Sequence, residues 1–100
     1  MAVPHSDSLD RLFRTIMDLR SLDEFYAFFD DVCTIKELQD MSQRLDAAFL
    51  LDEGQSYQTI AARVGISTAT IGRVSRCLNY GSGGYRAAID RAREKESGEG

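Results

Sequence analysis

Tyr57-Gln-Thr-Ile-Ala-Ala-Arg-Val-Gly-Ile-Ser-Thr-Ala-Thr-Ile-Gly-Arg-Val-Ser-Arg76 is the stretch on which the reading of the fold turns. Two short helices that cross steeply need apolar residues where they meet and a small residue where they touch. Between them they need a residue that tolerates positive φ. Ile60 and Val64 supply the inner face of the first helix, and Ala61 is the small contact residue. Gly65 is the turn, and Ile66, Ile71 and Val74 complete the inner face. The pattern is that of a helix-turn-helix over residues 57–78.

The outer face of the second helix holds Ser67, Thr68, Ala69, Gly72, Arg73 and Arg76, all small, hydroxylated or guanidinium residues. Ser67 suits an N-cap, and the free amides at that helix start suit a phosphate oxygen. Small side chains let a helix sit deep in a major groove. Thr bonds a base edge or touches a thymine methyl, and Arg pairs with guanine or clamps phosphate. Between Tyr57 and Tyr80 there are three arginines and no acid, so nothing in the segment repels a phosphate backbone. With Gln58, Thr59 and Thr70, these residues form the candidate DNA-contacting set. Gly72 costs a helix interior about 1 kcal/mol against Ala. Close approach of another backbone would explain it, as would simple tolerance. Plain helical-hairpin packing accounts for the inner face but not for the acid-free outer one.

Outward from this segment the pattern stays helical. Leu9, Leu12, Phe13, Ile16 and Met17 recur at helical spacing, with Ser6, Asp7 or Ser8 as cap. Ser21 to Glu24 is a capping box opening a second helix whose Phe25, Phe28, Phe29 and Val32 share one face. Thr34 to Glu37 is another, opening a long helix striped by Ile35, Leu38, Met41, Leu45, Ala48 and Phe49 and ending near Glu53-Gly54. Asn79-Tyr-Gly-Ser-Gly-Gly84 reads as the end of the fifth helix and a flexible link. A last helix over 85–96 carries Tyr85, Ala88, Ile89 and Ala92, and the polar tail from Glu94 to Gly100 is expected to fray. The organisation expected is one domain: an arm over 1–7, a helical dimerisation part over 8–54, the helix-turn-helix, the link over 79–84 and the last helix.

One hundred residues make one small domain, and its 43% hydrophobic content is too high for a disordered chain. The longest apolar run, Ala47 to Leu51, is far short of the ~20 residues a bilayer span needs. No basic-then-apolar leader opens the chain, and a cytoplasmic location is expected. The net charge of −4 averages two unlike parts. Residues 1–56 carry five Lys/Arg against twelve Asp/Glu, a balance of −7, and residues 57–100 carry seven against four, a balance of +3. Cys33 and Cys77 with a single His make no zinc pattern, and free thiols are expected. His5, in the arm, has no nucleophile-and-acid constellation around it, so no enzyme is expected. Asp52-Glu53 reads as solvated surface or as helix-end charge, and Gly81-Ser82-Gly83-Gly84 lacks the Lys-Ser/Thr of a phosphate-binding loop. An acidic, aromatic-rich adaptor that binds protein through residues 21–53 is the alternative class.

The chain resembles the Trp repressor superfamily, and most closely its YerC/YecD-type branch. The resemblance rests on Leu12-Phe13, Gln43-Arg44-Leu45, Leu50 to Gly54, Ala69 to Arg73 and the block Arg76-Cys-Leu-Asn-Tyr-Gly-Ser-Gly-Gly-Tyr85. It implies an all-α, six-helix fold in an intertwined homodimer, with two helix-turn-helix heads on successive major grooves of double-stranded DNA. It thus implies a transcriptional regulator, a repressor, with DNA and a second copy as partners. The aromatic surface of Phe25, Tyr26, Phe28 and Phe29 fits such a dimer. In the Trp repressor two arginines flank the bound indole, and Arg44 and Arg73 look like their counterparts, with Cys77 completing a possible ligand pocket. Val74 stands where the repressor has Gly, and Cys77 where it has Ser. A β-branched side chain takes up indole space and a thiol is a poor partner for an ammonium, which argues against tryptophan as corepressor. Either no ligand or a different small one is expected.

Overall fold

The computed structural model describes residues 2–98 and holds six helices and no strand among them. These are α1 (Asp7–Met17), α2 (Leu22–Val32), α3 (Ile35–Asp52), α4 (Tyr57–Val64), α5 (Thr68–Tyr80) and α6 (Gly84–Gly98). Contacts divide the chain into two compact units, Met1–Gln39 and Asp40–Gly100, the division falling inside α3.

In the first unit the hydroxyl of Ser6 accepts the Leu9 amide at 3.1 Å, which starts α1 at Asp7, one residue inside the expected arm. Ser21 caps α2 through the Glu24 amide at 3.1 Å. The reciprocal bond of that box lands one residue early: Glu24 accepts the amide of Arg20 at 3.0 Å rather than that of Ser21. At α3 the box closes both ways, with the Glu37 amide on Thr34 Oγ1 at 3.1 Å and the Thr34 amide on Glu37 Oε1 at 2.8 Å. That bond holds the Glu37 carboxyl below its ordinary range. On α2, Phe25 and Phe29 stack and Phe28 meets Phe29 edge-on, with centroids 5.3 Å apart for the latter pair. None of the residues of α1 or α2 is buried.

The second unit holds the core. Ala47 and Ala48 of α3, Ile60 of α4, Ile71 and Val74 of α5 and Ile89 of α6 are buried, ringed by Phe49, Leu50, Leu51, Val64, Ile66 and Leu78. Each buried Ile contributes about 1.5–3 kcal/mol of transfer free energy. The two alanines let the end of α3 approach closely. The α3 stripe is thereby split: Ala48 and Phe49 join the core, whereas Ile35 is 74% exposed and Met41 and Leu45 are exposed as well.

Two helix ends differ from the expectation. The fifth helix continues through Asn79 and Tyr80, two residues into the expected link. Asn79 Nδ2 donates to the Ser75 carbonyl at 2.9 Å, which holds the last turn, and the Gly81 amide reaches the Cys77 carbonyl. A Cβ at Gly81 would run into that carbonyl, so glycine lets the helix finish here. The sixth helix runs on through the polar residues after Glu94 as far as Gly98, two residues beyond the expected end. Glu99 and Gly100 of the expected tail, and Met1 of the arm, lie outside the described residues.

Asp52 is the helix-end charge of the two readings, closing α3, and it is not solvated surface. Its side chain is 19% exposed; Oδ1 lies 2.7 Å from Arg86 Nη2 and Oδ2 3.0 Å from Arg93 Nε. Arg86 also meets Asp90 at 3.0 Å, and the Arg93 guanidinium sits 5.4 Å from the Phe49 ring centroid. The end of α3 and the length of α6 are tied together by these charges. The Arg86 hydrogen bond holds the Asp52 carboxyl below its ordinary value, with Arg93 adding to the effect. A depressed folded value means that this stabilisation is complete above about pH 4 and fades as pH falls through the lower folded value. Asp52→Asn is therefore expected to unfold at a lower urea midpoint than the parent at pH 7, with the gap narrowing below about pH 4. A gap that stays constant down to pH 3 would contradict the pairing.

Candidate nucleic-acid interface

The interface is built on the turn between α4 and α5. Gly65 closes α4 with φ +83°, a left-handed conformation that a Cβ strains, and its amide bonds the Ala61 carbonyl at 2.9 Å. The chain then turns through Ile66 and Ser67 into α5. Both helices begin on serine caps with the same chemistry. Ser56 Oγ accepts the Thr59 amide at 3.1 Å, and Ser67 Oγ accepts the Thr70 amide at 3.1 Å. The threonine hydroxyls complete each cap, Thr59 Oγ1 at 2.9 Å from Ser56 Oγ and Thr70 Oγ1 at 3.0 Å from Ser67 Oγ.

Of the DNA-contacting set expected from the sequence, Gln58, Ser67, Thr68, Ala69, Arg73 and Arg76 are exposed, and Thr59, Thr70 and Gly72 are half-buried. The hydroxyls of Thr59 and Thr70 are thus engaged in holding helix starts, and Thr70 also receives Arg73 Nη2 at 3.4 Å. The buried side of α5 is Ile71 and Val74, with Leu78 packed against the core, and Ala69, Arg73 and Arg76 lie opposite. A Cβ at Gly72 would meet only the Tyr57 ring, at 4.0 Å, an ordinary contact. The chain's own packing therefore does not demand glycine at this position.

One residue of that outer side was missed by sequence reasoning. Because α5 reaches Tyr80, the series Ala69, Arg73, Arg76, Tyr80 runs down one face, and Tyr80 is 87% exposed. Counting 4, 7 and 11 positions on from Ala69 would have found it had the helix not been ended at the glycines.

Behind α5, the residues expected to form a ligand pocket come together. Arg44, Arg73 and Cys77 line one cleft of about 540 Å³, floored by Ile66 and Val74 and closed by Tyr85 of α6. Asp40 and Gln43 of α3 lie on its rim, a pair that sequence reasoning also missed, as it missed Tyr85. Gln43 Nε2 donates to the Val64 carbonyl at 3.4 Å. Val74 is 2% exposed, so its side chain is spent on the floor and the core together. Burial raises the Tyr85 phenol above its ordinary value, and the Arg44 guanidinium, placed to bond it, works in the other direction. Arg73 is common to the cleft and to the outer side of α5. Among the described residues there is no cluster of His, Cys, Asp and Glu able to hold a metal ion, and no helix is long and apolar enough to cross a membrane. Cys33 and Cys77 are free thiols.

The family model described as "Trp repressor protein" matches residues 7–93. The chain is 53% identical over 89 residues to the uncharacterized protein YerC of Bacillus subtilis (strain 168), covering 89% of this chain and 86% of that one. Among solved structures, a TrpR like protein from Eubacterium eligens ATCC 27750 superposes with a TM-score of 0.85 at 47% identity, covering 87% of this chain and 90% of that one. A putative Trp repressor from Staphylococcus aureus also gives 0.85, at 44% identity and 89% coverage of both chains. The match spans both units, the α4–α5 turn and most of α6, and the chain belongs to the Trp repressor family.

Proposed function

We propose that this protein is a transcriptional regulator, a repressor, that binds specific double-stranded DNA as a homodimer through α4 and α5. The observation that carries the reading is the outer side of α5. Ala69, Arg73 and Arg76 stand exposed opposite Ile71, Val74 and Leu78, with Ser67 and Thr68 exposed at the helix start and no acid among them. Base edges at the helix start would be read by Thr68 and Ala69, while Arg73 and Arg76 meet guanine or phosphate. The half-sites of a dimer would lie about one helical turn apart. The apolar surface of the first unit supports a second copy: Met17 is 80% exposed, and Leu22, Tyr26 and Ile35 are exposed too. Family membership supports a binding protein rather than a catalyst.

The cleft behind α5 works either empty or with a small ligand other than tryptophan. Val74 on its floor and the thiol of Cys77 are what support that reading. Isothermal titration with tryptophan is expected to give no saturable heat in the micromolar range, and saturation there would overturn this part.

Affinity for a random duplex should fall steeply with salt on logarithmic axes. Arg76→Ala is expected to weaken all sequences alike and to reduce the salt slope by about one, while Thr68→Ala or Ala69→Glu changes the preferred site. No binding at about 50 mM salt would instead favour the protein-binding adaptor. Gly72→Ala separates packing from contact. It should raise stability by about 1 kcal/mol in urea titrations, since the helix gains propensity and the added Cβ meets no obstacle. Duplex affinity should drop in the same variant, because the backbone is then held off the groove. A variant that is stabilised and binds unchanged would dismiss close approach at Gly72.

A further inference from the structure

We infer that Tyr80 anchors the far end of α5 to the phosphodiester backbone, its hydroxyl donating to a phosphate oxygen outside the major groove. The inference rests on the reading of α5 as the helix that enters the groove. At 3.6 residues per turn, Ala69, Arg73, Arg76 and Tyr80 fall within about 60° of arc, opposite Ile71, Val74 and Leu78. A residue on this arc faces whatever the arginines face.

Axial distance decides what Tyr80 meets there. From Ala69 to Tyr80 the helix rises about 16 Å, and the major groove is about 12 Å wide. With the start of α5 among the base edges, Tyr80 is carried past the groove wall and over the sugar-phosphate chain. The last turn of the helix needs a side-chain donor there, because its own backbone ends in carbonyls of partial negative charge. Asn79 does not serve, since its Nδ2 is bonded to the Ser75 carbonyl at 2.9 Å. Tyr80 remains, 87% exposed and followed by Gly81, Ser82 and Gly83, which are exposed too. No Asp or Glu stands between Gly54 and Ile89, so no nearby acid in sequence opposes the approach. An O–H donor fixes position without reading a base, as most backbone contacts do.

A phenol displaces no counterion, which separates it from an arginine in the same place. Binding to a random-sequence duplex, and to one recovered by selection, would be measured across a salt series for the parent, Y80F, Y80A, Y80R and R76A. Helix content by circular dichroism shows that each variant folds. Y80F should lose about two- to ten-fold per head on both duplexes with an unchanged salt slope. Y80R should regain at least the parent's affinity and steepen the slope by about one. Should Y80F and Y80A bind like the parent while R76A is weakened, the anchor is refuted and the DNA-reading α5 survives. A parent that binds neither duplex at about 50 mM salt refutes both. A change in oligomeric state of Y80A on size-exclusion chromatography would also overturn the anchor, by assigning Tyr80 to a contact between copies.

Discussion

The second unit depends on one backbone conformation, the left-handed φ of Gly65. It lets α4 stop and the chain reverse within three residues, so that Ile60 meets Ile71 and Val74 and all three leave water. Burying those three fixes the rotation of α5 about its own axis, and that rotation settles which of its residues look out. Ala69, Arg73 and Arg76 are outward because Ile71 and Val74 are inward. The apolar core thus orients the polar face without touching it. The caps work in the same direction, for Ser67 and Thr70 hold the first turn of α5, where its exposed face begins.

A second constraint, electrostatic, locates α6. Asp52 receives Arg86 and Arg93, which lie two turns apart, and so sets both the direction of α6 and its height against the end of α3. Tyr85 is next to Arg86 and is thereby held in the cleft, beside Arg44. The link from Gly81 to Gly83 must then be short and tight, which is why Gly81 cannot carry a Cβ against the Cys77 carbonyl. Pairing absorbs Asp52 and leaves the arginines of α5 as the uncompensated charge on the outer side. The arginines of the basic part thus separate into two groups. Arg86 and Arg93 hold the structure, whereas Arg63, Arg73, Arg76 and Arg91 face solvent.

What the sequence disclosed was whatever short-range chemistry controls. Ser21, Thr34, Ser56 and Ser67 announce helix starts because a cap needs only three further residues. Ile60, Gly65, Ile71 and Val74 are legible because the helix-turn-helix is compact in sequence. The end of α5 was not legible: three glycines in six positions look like a link, and the bond from Asn79 to Ser75 that extends the helix leaves no mark in composition. The role of Asp52 was hidden for another reason. Its partners lie 34 and 41 residues away, beyond any local pattern. The cleft was half visible, through Arg44, Arg73 and Cys77, while Asp40, Gln43 and Tyr85 entered it only through tertiary packing.

The first unit follows a different logic. Its helices have good caps and an apolar face each, yet none of their residues is buried. Local signals make these helices, and the hydrophobic effect is only partly spent on them, since Leu12, Ile16, Phe28 and Phe29 are no more than half-buried. A helix of 11 residues is marginal in water on propensity alone, so α1 and α2 need apolar cover from outside their own surface. On α3 the apolar stripe is exposed at Ile35, Met41 and Leu45 and enters the core only from Ala47 onward. The long helix therefore carries two unlike apolar segments. Its last turns are satisfied inside the chain by α4, α5 and α6, and its first turns leave Ile35 and Met41 exposed. Such a division leaves the packing around the α4–α5 turn complete within one chain, while the start of α3 contributes nothing to it.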